Sequence, residues 1–285
     1  MTEGALVLEG GSLRGVFTAG VLDIFMEQGI EMSYVNGVSA GSMCGMSYVS
    51  RQIGRTIEVD LNYAADKRFL SFRNMMKKRS IFNFDFLFGE LSDTLVPFDY
   101  DAFYQSKQTF EVVATRCKTG KPEYFEKSTC SDFINAVKAS SSMPILSSMI
   151  GVKGKKYLDG GCSMPIAYQR AMDLGYEKIV VVLTRQHGYR KPPVDKWTKK
   201  GYGRYFAPLP KLLNALEEAP DRYNRMQEEM DRLEEEGKIF IIRPDKPVAV
   251  HRTEQDRRKL EALYEEGRGV GAAHMGKLKE YLEIQ

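Results

Sequence analysis

Short apolar runs alternate with helix-like stretches along the first fifty residues. Ala5 to Leu8 has the character of a short buried strand, and Gly10-Gly11-Ser12-Leu13-Arg14-Gly15 follows as a turn. Val16 to Gln28 then places Val21, Leu22, Phe25 and Met26 on an apolar side, and Gly29 stops the helix this predicts. Met32 to Val38 reads as a second strand, and Ser42 to Val49, small and apolar without proline, as the start of a buried helix. Two strand–turn–helix units in succession predict a parallel sheet covered by helices. Residues 54–101 break the rhythm and read as an insertion or cap. Here Phe82, Phe84, Phe86 and Phe88 alternate, a pattern of core or strand packing, with a lipid-facing lid as the sharper alternative. The rhythm resumes with a strand at Phe110 to Thr115 and a helix at Ser131 to Ser140, with Ser131 as N-cap and Asp132 in the first turn. Lys156 to Leu158 leads into Asp159-Gly160-Gly161, and Pro165 to Leu174 reads as a helix closed by Gly175. Lys178 to Thr184 is the clearest central strand, and Lys238 to Arg243 is another. Pro208 to Glu236 and Glu254 to Leu282 read as long, charged, mostly helical segments.

Composition narrows this picture. A chain of 285 residues, 43% hydrophobic, suits one large domain. The net charge of +3 decides nothing about partners, but its distribution is uneven. Lys67, Arg68, Arg73, Lys77, Lys78 and Arg79 form a basic cluster without an acid, and Arg190 to Arg204 carries six basic residues against Asp195. Such clusters are ordinarily solvated surface; flanking a site mouth, they would attract anionic headgroups. Ala215 to Glu236 carries nine acids against three arginines, most simply one solvated helix face. Cys44, Cys117, Cys130 and Cys162 have no metal-ligand spacing, which fits a reduced, cytoplasmic setting. No signal-peptide pattern precedes the first strand, and no run approaches the length of a membrane span. Peripheral contact with a membrane surface stays open; no nucleic-acid partner is expected.

The candidate chemistry lies where strands meet helices. Gly37-Val38-Ser39-Ala40-Gly41 is a G-x-S-x-G pentad between a strand and a helix. A sharp turn there lifts the Ser39 hydroxyl to the top of the sheet, with Gly37 and Gly41 making room for the backbone. The pentad is not specific by itself. Two further small-residue clusters, 10–15 and 159–161, also follow strands, and ligands of open parallel sheets bind at such strand ends. Backbone N–H groups around Gly10, Gly11 and Ser12 can meet a developing oxyanion, and Asp159 can supply a base. Of the three histidines, His187 is the only plausible member of a Ser-His-acid triad; His251 and His274 read as surface or capping residues. Arg14 is either a loop support or a surface residue at a helix start.

These motifs, in this order, resemble the patatin-like phospholipase family. The family pattern is a glycine-rich oxyanion loop with a basic residue, then G-x-S-x-G, then D-G-[GA]. Ala139-Ser140-Ser141-Ser142-Met143-Pro144 resembles its small-residue block ending in proline. The resemblance implies a three-layer α/β/α sandwich with a mostly parallel sheet and a Ser39–Asp159 dyad. It also implies an oxyanion loop of Gly10, Gly11, Ser12, Arg14 and Gly15. The implied activity is hydrolysis of lipid or related acyl esters, with no metal or cofactor. One departure is Ser12, where the family loop usually has a third glycine; a side chain there restricts a backbone of positive φ. Two other classes stay on the table: a catalytically weak binding or regulatory protein on the same scaffold, and a nucleotide-binding protein. The second lacks the third glycine of G-x-G-x-x-G and a Walker-type ending.

Overall fold

A computed structural model describes residues 1–71, 74–76 and 80–284. Its strands are β1 (Thr2–Leu8), β2 (Met32–Val38), β3 (Thr109–Arg116), β4 (Pro122–Glu126), β5 (Ile150–Val152), β6 (Lys155–Asp159), β7 (Ile179–Val182) and β8 (Phe240–Ile242). The main helices are α1 (Gly15–Glu27), α2 (Ala40–Val49), α3 (Arg55–Tyr63), α4 (Tyr100–Gln105), α5 (Phe133–Ser140), α6 (Tyr168–Asp173), α7 (Lys196–Phe206), α8 (Pro210–Glu217), α9 (Ala219–Glu235) and α10 (Arg257–Leu282).

Strands β3, β2, β1, β7 and β8 are parallel neighbours. β7 and the Ala5 to Leu8 half of β1 are continuous apolar runs, covered on both faces. The alternation of side chains shows the layering. Leu6, Leu8, Val180 and Val182 enter one core with α1, α2, α5 and α10. Ala5, Val7, Ile179 and Val181 enter a second core with α6 and α9. This is the three-layer α/β/α architecture expected.

Strand β3 sets the geometry of the site. Glu111 to Val113 pair with both β2 and β4, while Ala114 and Thr115 pair with both β4 and β6. A strand has two edges, so β2 and β6 share one of them. β2 ends at Val38, opposite Val113, and antiparallel β6 ends at Asp159, opposite Ala114. The two strand ends therefore point at each other, and the residue after β2, Ser39, meets Asp159 at the end of β6.

Several boundaries differ from expectation. α5 starts at Phe133 with Asp132 at its cap, not Ser131, and the Asp132 carboxylate takes the Asn135 amide at 2.8 Å. α6 begins at Tyr168, three residues after Pro165. The stretch 208–236 is two helices, because Pro220 lacks an N–H for the preceding helix and suits the first turn of α9. Of the acids of α9, Asp221, Glu228 and Glu235 are exposed, but Glu229 accepts from Tyr168 and Asp231 and Glu234 pair with Arg243, so the face is not solvated throughout. The alternating phenylalanines do not form a strand. Phe82 makes an isolated bridge with Leu70, Phe84–Phe86 is a helical turn started by the Asn83 side chain, and Leu87–Leu95 continues as a π-helix. Phe82, Phe84 and Phe86 are buried with Phe69, Leu91 and Met143. Of the first basic cluster, Arg73, Lys77, Lys78 and Arg79 lie outside the described residues, and Arg68 is paired with Asp66 and Glu90. Among the described residues, no helix is long and apolar enough to cross a membrane.

Candidate active site

The turn from β2 to α2 holds Ser39 at φ 54°, ψ −123°, a conformation a side chain seldom tolerates. It is over-determined by its surroundings. A Cβ on Gly37 would lie 2.6 Å from Ser42 Cα, and one on Gly41 2.5 Å from the Leu8 carbonyl oxygen. The Ser42 N–H and hydroxyl both donate to the Ser39 carbonyl, at 2.9 and 2.5 Å. The Ser39 N–H donates to Ser140 Oγ at 2.9 Å.

Across the junction of the two strands, Ser39 Oγ donates to Asp159 Oδ2 at 2.8 Å. The other carboxylate oxygen accepts from the Gly161 N–H at 2.7 Å. The Asp159 main chain is fixed as well: its N–H donates to the Ser142 carbonyl and its carbonyl accepts from Thr115 Oγ1, both at 2.8 Å. The small-residue block at 139–144 thus braces both partners, Ser140 holding one and Ser142 the other. Ser39 and Asp159 are each 8% exposed. Burial raises the Asp159 carboxyl above its ordinary range, against the stabilising Ser39 and Gly161 hydrogen bonds and the more distant Arg252 and Lys191. A carboxylate held this way can accept the hydroxyl proton.

The histidines lie elsewhere. The His187 side chain is 72% exposed and contacts Arg243 at 3.0 Å and Asp231 at 3.5 Å. His274 bonds the Val270 carbonyl one turn back.

The turn after β1 closes over Ser39. A Cβ on Gly10 would sit 3.0 Å from Ser39 Cβ, and one on Gly15 2.9 Å from Ala40 Cβ. On its other side, a Cβ on Gly11 would meet Thr184 Oγ1 at 2.8 Å. The N–H groups of Gly10, Gly11, Ser12 and Leu13 make no hydrogen bond among the described residues. Ser12 has φ 51°, the conformation that favours glycine, and its hydroxyl donates to the Arg252 carbonyl at 2.6 Å. Arg14 is not a surface residue. It is buried, its Nε has no hydrogen-bond partner among the described residues, and burial followed by Arg185 lowers its guanidinium to about 10 while Glu9 opposes the shift. Lys191, from the second basic cluster, lies over the Tyr223 ring at 3.8 Å. Burial first, then Arg252 and Arg14, lowers its ammonium to about 8, with Glu9 and Asp159 opposing.

Ser39 opens into an apolar pocket between α2, α3 and the 82–98 segment, lined by Met43, Phe69, Phe84, Phe88 and Met143 among others. Two polar groups escaped the sequence reading. Ser140 lies in a block noticed only for its composition, and Asp60, which lines the pocket, is one acid on an amphipathic helix. Cys162, beside Asp159 in sequence, is buried with its thiol pushed well up by burial, the packing role expected.

The family model for patatin-like phospholipases matches residues 6–171, more than half of the chain. A second family model, for a domain of unknown function, matches residues 209–283. The Escherichia coli (strain K12) protein YjjU, itself uncharacterized, is 29% identical over 250 residues, covering 86% of this chain and 69% of YjjU. The crystal structure of VipD from Legionella pneumophila superposes with a TM-score of 0.50 at 13% identity, covering 99% of this chain and 67% of VipD. That likeness shows a shared fold. On the family match, this chain belongs to the patatin-like phospholipases, a family that in general hydrolyses the ester bonds of lipids.

Proposed function

We propose that this protein is a serine acyl hydrolase that cleaves lipid esters with a Ser39–Asp159 dyad. The observation that carries the reading is the 2.8 Å bond from Ser39 Oγ to Asp159 Oδ2 at the mouth of an apolar pocket. Ser39 Oγ attacks the ester carbonyl carbon as Asp159 takes the hydroxyl proton. The carbonyl oxygen becomes an oxyanion facing the unpaired N–H groups of Gly10, Gly11 and Ser12, near the positive end of α2. Arg14 backs this loop from within the protein. Collapse breaks the bond to the alcohol, which leaves with the proton returned by Asp159. A water, deprotonated by the same carboxylate, then frees the acid and restores Ser39. The chemistry of these residues calls on no metal or cofactor.

Fluorophosphonate labelling with intact-mass and peptide mapping tests the reading. A single adduct on Ser39, lost in Ser39→Ala, is expected. A well-folded protein that takes no adduct would sink the assignment, leaving the scaffold to a binding role.

A further inference from the structure

The pocket below Ser39 is not uniformly apolar. Ser39, Met43 and Ser47 follow one another at four-residue intervals along α2, and all three line the pocket. Ser47 therefore lies about 12 Å beyond Ser39 along the helix axis, at 1.5 Å per residue. There α3 presents Thr56, Val59 and Asp60 to the same space, and Thr56 Oγ1 donates to Ser47 Oγ at 3.0 Å. Asp60 sits one turn beyond Thr56. Its carboxylate makes no hydrogen bond and no ion pair among the described residues, and burial alone raises it to about 7. Arg55, on the same helix and the same pocket, is not its partner: its guanidinium is spent on Ser92, Val96 and Pro97 and stacks over Phe98.

A solitary carboxyl in the wall of a hydrophobic pocket works against a plain hydrocarbon chain. Filling the pocket with alkyl groups would strip the last water from Asp60 and give it nothing in return. A chain with a donor at that depth would satisfy it. A hydroxyl fits better than an ammonium, because it brings no second charge to desolvate. We propose that this pocket selects acyl chains carrying a hydroxyl group at the depth of Asp60, and that Asp60 is the residue that sets this preference. The inference rests on the reading of Ser39 as the acylated residue and names the acyl class that residue would accept.

The experiment compares kcat/KM for nitrophenyl esters of an unbranched fatty acid with a series in which one hydroxyl is walked along the chain. At one position the wild type should prefer the hydroxylated ester by at least about ten-fold. Asp60→Leu should abolish that preference and accelerate the unsubstituted ester. Removing a lone charge from apolar surroundings favours the fold, so this variant is expected to be stable; Asp60→Asn, which keeps an acceptor, should retain part of the preference. A flat series, a preference unchanged in Asp60→Leu, or stronger turnover of the amino-substituted analogues would overturn the proposal. If nothing is hydrolysed and Ser39 takes no fluorophosphonate, the hydrolase reading has failed instead. Calorimetric titration of the free hydroxy acids and their unsubstituted parents then still decides the pocket. Tighter binding of one hydroxy acid, lost in Asp60→Leu, upholds the proposal, and equal binding removes it.

Discussion

Two carboxyls in this molecule have opposite surroundings. Asp159 is held by the Ser39 hydroxyl and the Gly161 N–H, while the half-buried Asp60 lines the pocket with no hydrogen-bond or ion-pair partner among the described residues. Asp159 must be ionised to take the proton, and burial raises its carboxyl. kcat/KM should therefore rise with pH through a single acid limb centred above the ordinary carboxylate range, then level off. Asp159→Asn keeps an acceptor near Ser39 but no proton acceptor, and should lower kcat by roughly 10²-fold or more. His187→Ala should leave kcat within about two-fold and the limb in place, since surface changes away from a site have little effect. Loss of activity in His187→Ala with activity kept in Asp159→Asn would mean that the dyad is wrong. These two residues could be singled out in the sequence because each belongs to a local turn with a recurring pattern, G-x-S-x-G and D-G-G, and the structure brings them within hydrogen-bond distance. Ser12 was legible as a departure, and its positive φ is the reason glycine is usual there. Asp60 was not legible. One acid on α3 reads as solvated, and only the packing of α3 against α2 turns it inward.

Among the elements, α1 is unusual in being buried nearly all round, which its sequence hides behind the pattern of an ordinary amphipathic helix. The reason is α10, which covers its outer side at backbone contact. A Cβ on Gly267 would lie 2.2 Å from the Phe17 carbonyl oxygen, and one on Gly20 2.3 Å from that of Tyr264. Tyr264 also donates to Asp23 at 2.8 Å, and Arg268 reaches Glu27 at 2.9 Å. Gly267→Ala should therefore cost roughly 2–3 kcal/mol, because backbone rather than a flexible side chain must give way. Gly269→Ala, two residues on in the same helix with nothing within 4 Å of its Cβ, should instead stabilise by about 1 kcal/mol through helix propensity. Urea denaturation of the pair reads the contrast directly; equal stabilities would show that the two helices do not approach so closely. Local pattern predicted α10 as a helix but could not reveal its partner, because the glycines that permit the contact register as helix-weakening residues. The same limit misread residues 82–88. A two-residue alternation suggested core or strand packing, whereas a bridge at Phe82, a helical turn at Phe84–Phe86 and a π-helix from Leu87 bring these rings against one cluster.

At the scale of the molecule, the proposed dyad and its loop all fall within residues 6–171, yet the segment after them completes the structure around them. β8 extends the parallel sheet beyond β7, with the Leu183 N–H bonded to the Ile242 carbonyl at 2.9 Å. α9 places Tyr223, Met226 and Met230 over the second core, where Val7 and Val181 would otherwise face water. α10 seals α1, and the Arg252 carbonyl ties down Ser12 in the loop above Ser39. Each of these contacts joins residues far apart in sequence, which is why the charged C-terminal stretches offered helix and strand patterns and nothing of their role. The burial they supply is spread over both faces of one sheet, so their removal opens both of its main cores to water. Residues 1–207 alone are therefore expected to be insoluble or to lack near-UV circular dichroism. The whole chain should unfold in urea as one transition, with far-UV and near-UV signals coincident. A soluble 1–207 fragment with native near-UV dichroism and full reactivity of Ser39 toward fluorophosphonate would show that the two parts fold and act independently. In that case the hold of Arg252 on Ser12 would be dispensable for the site.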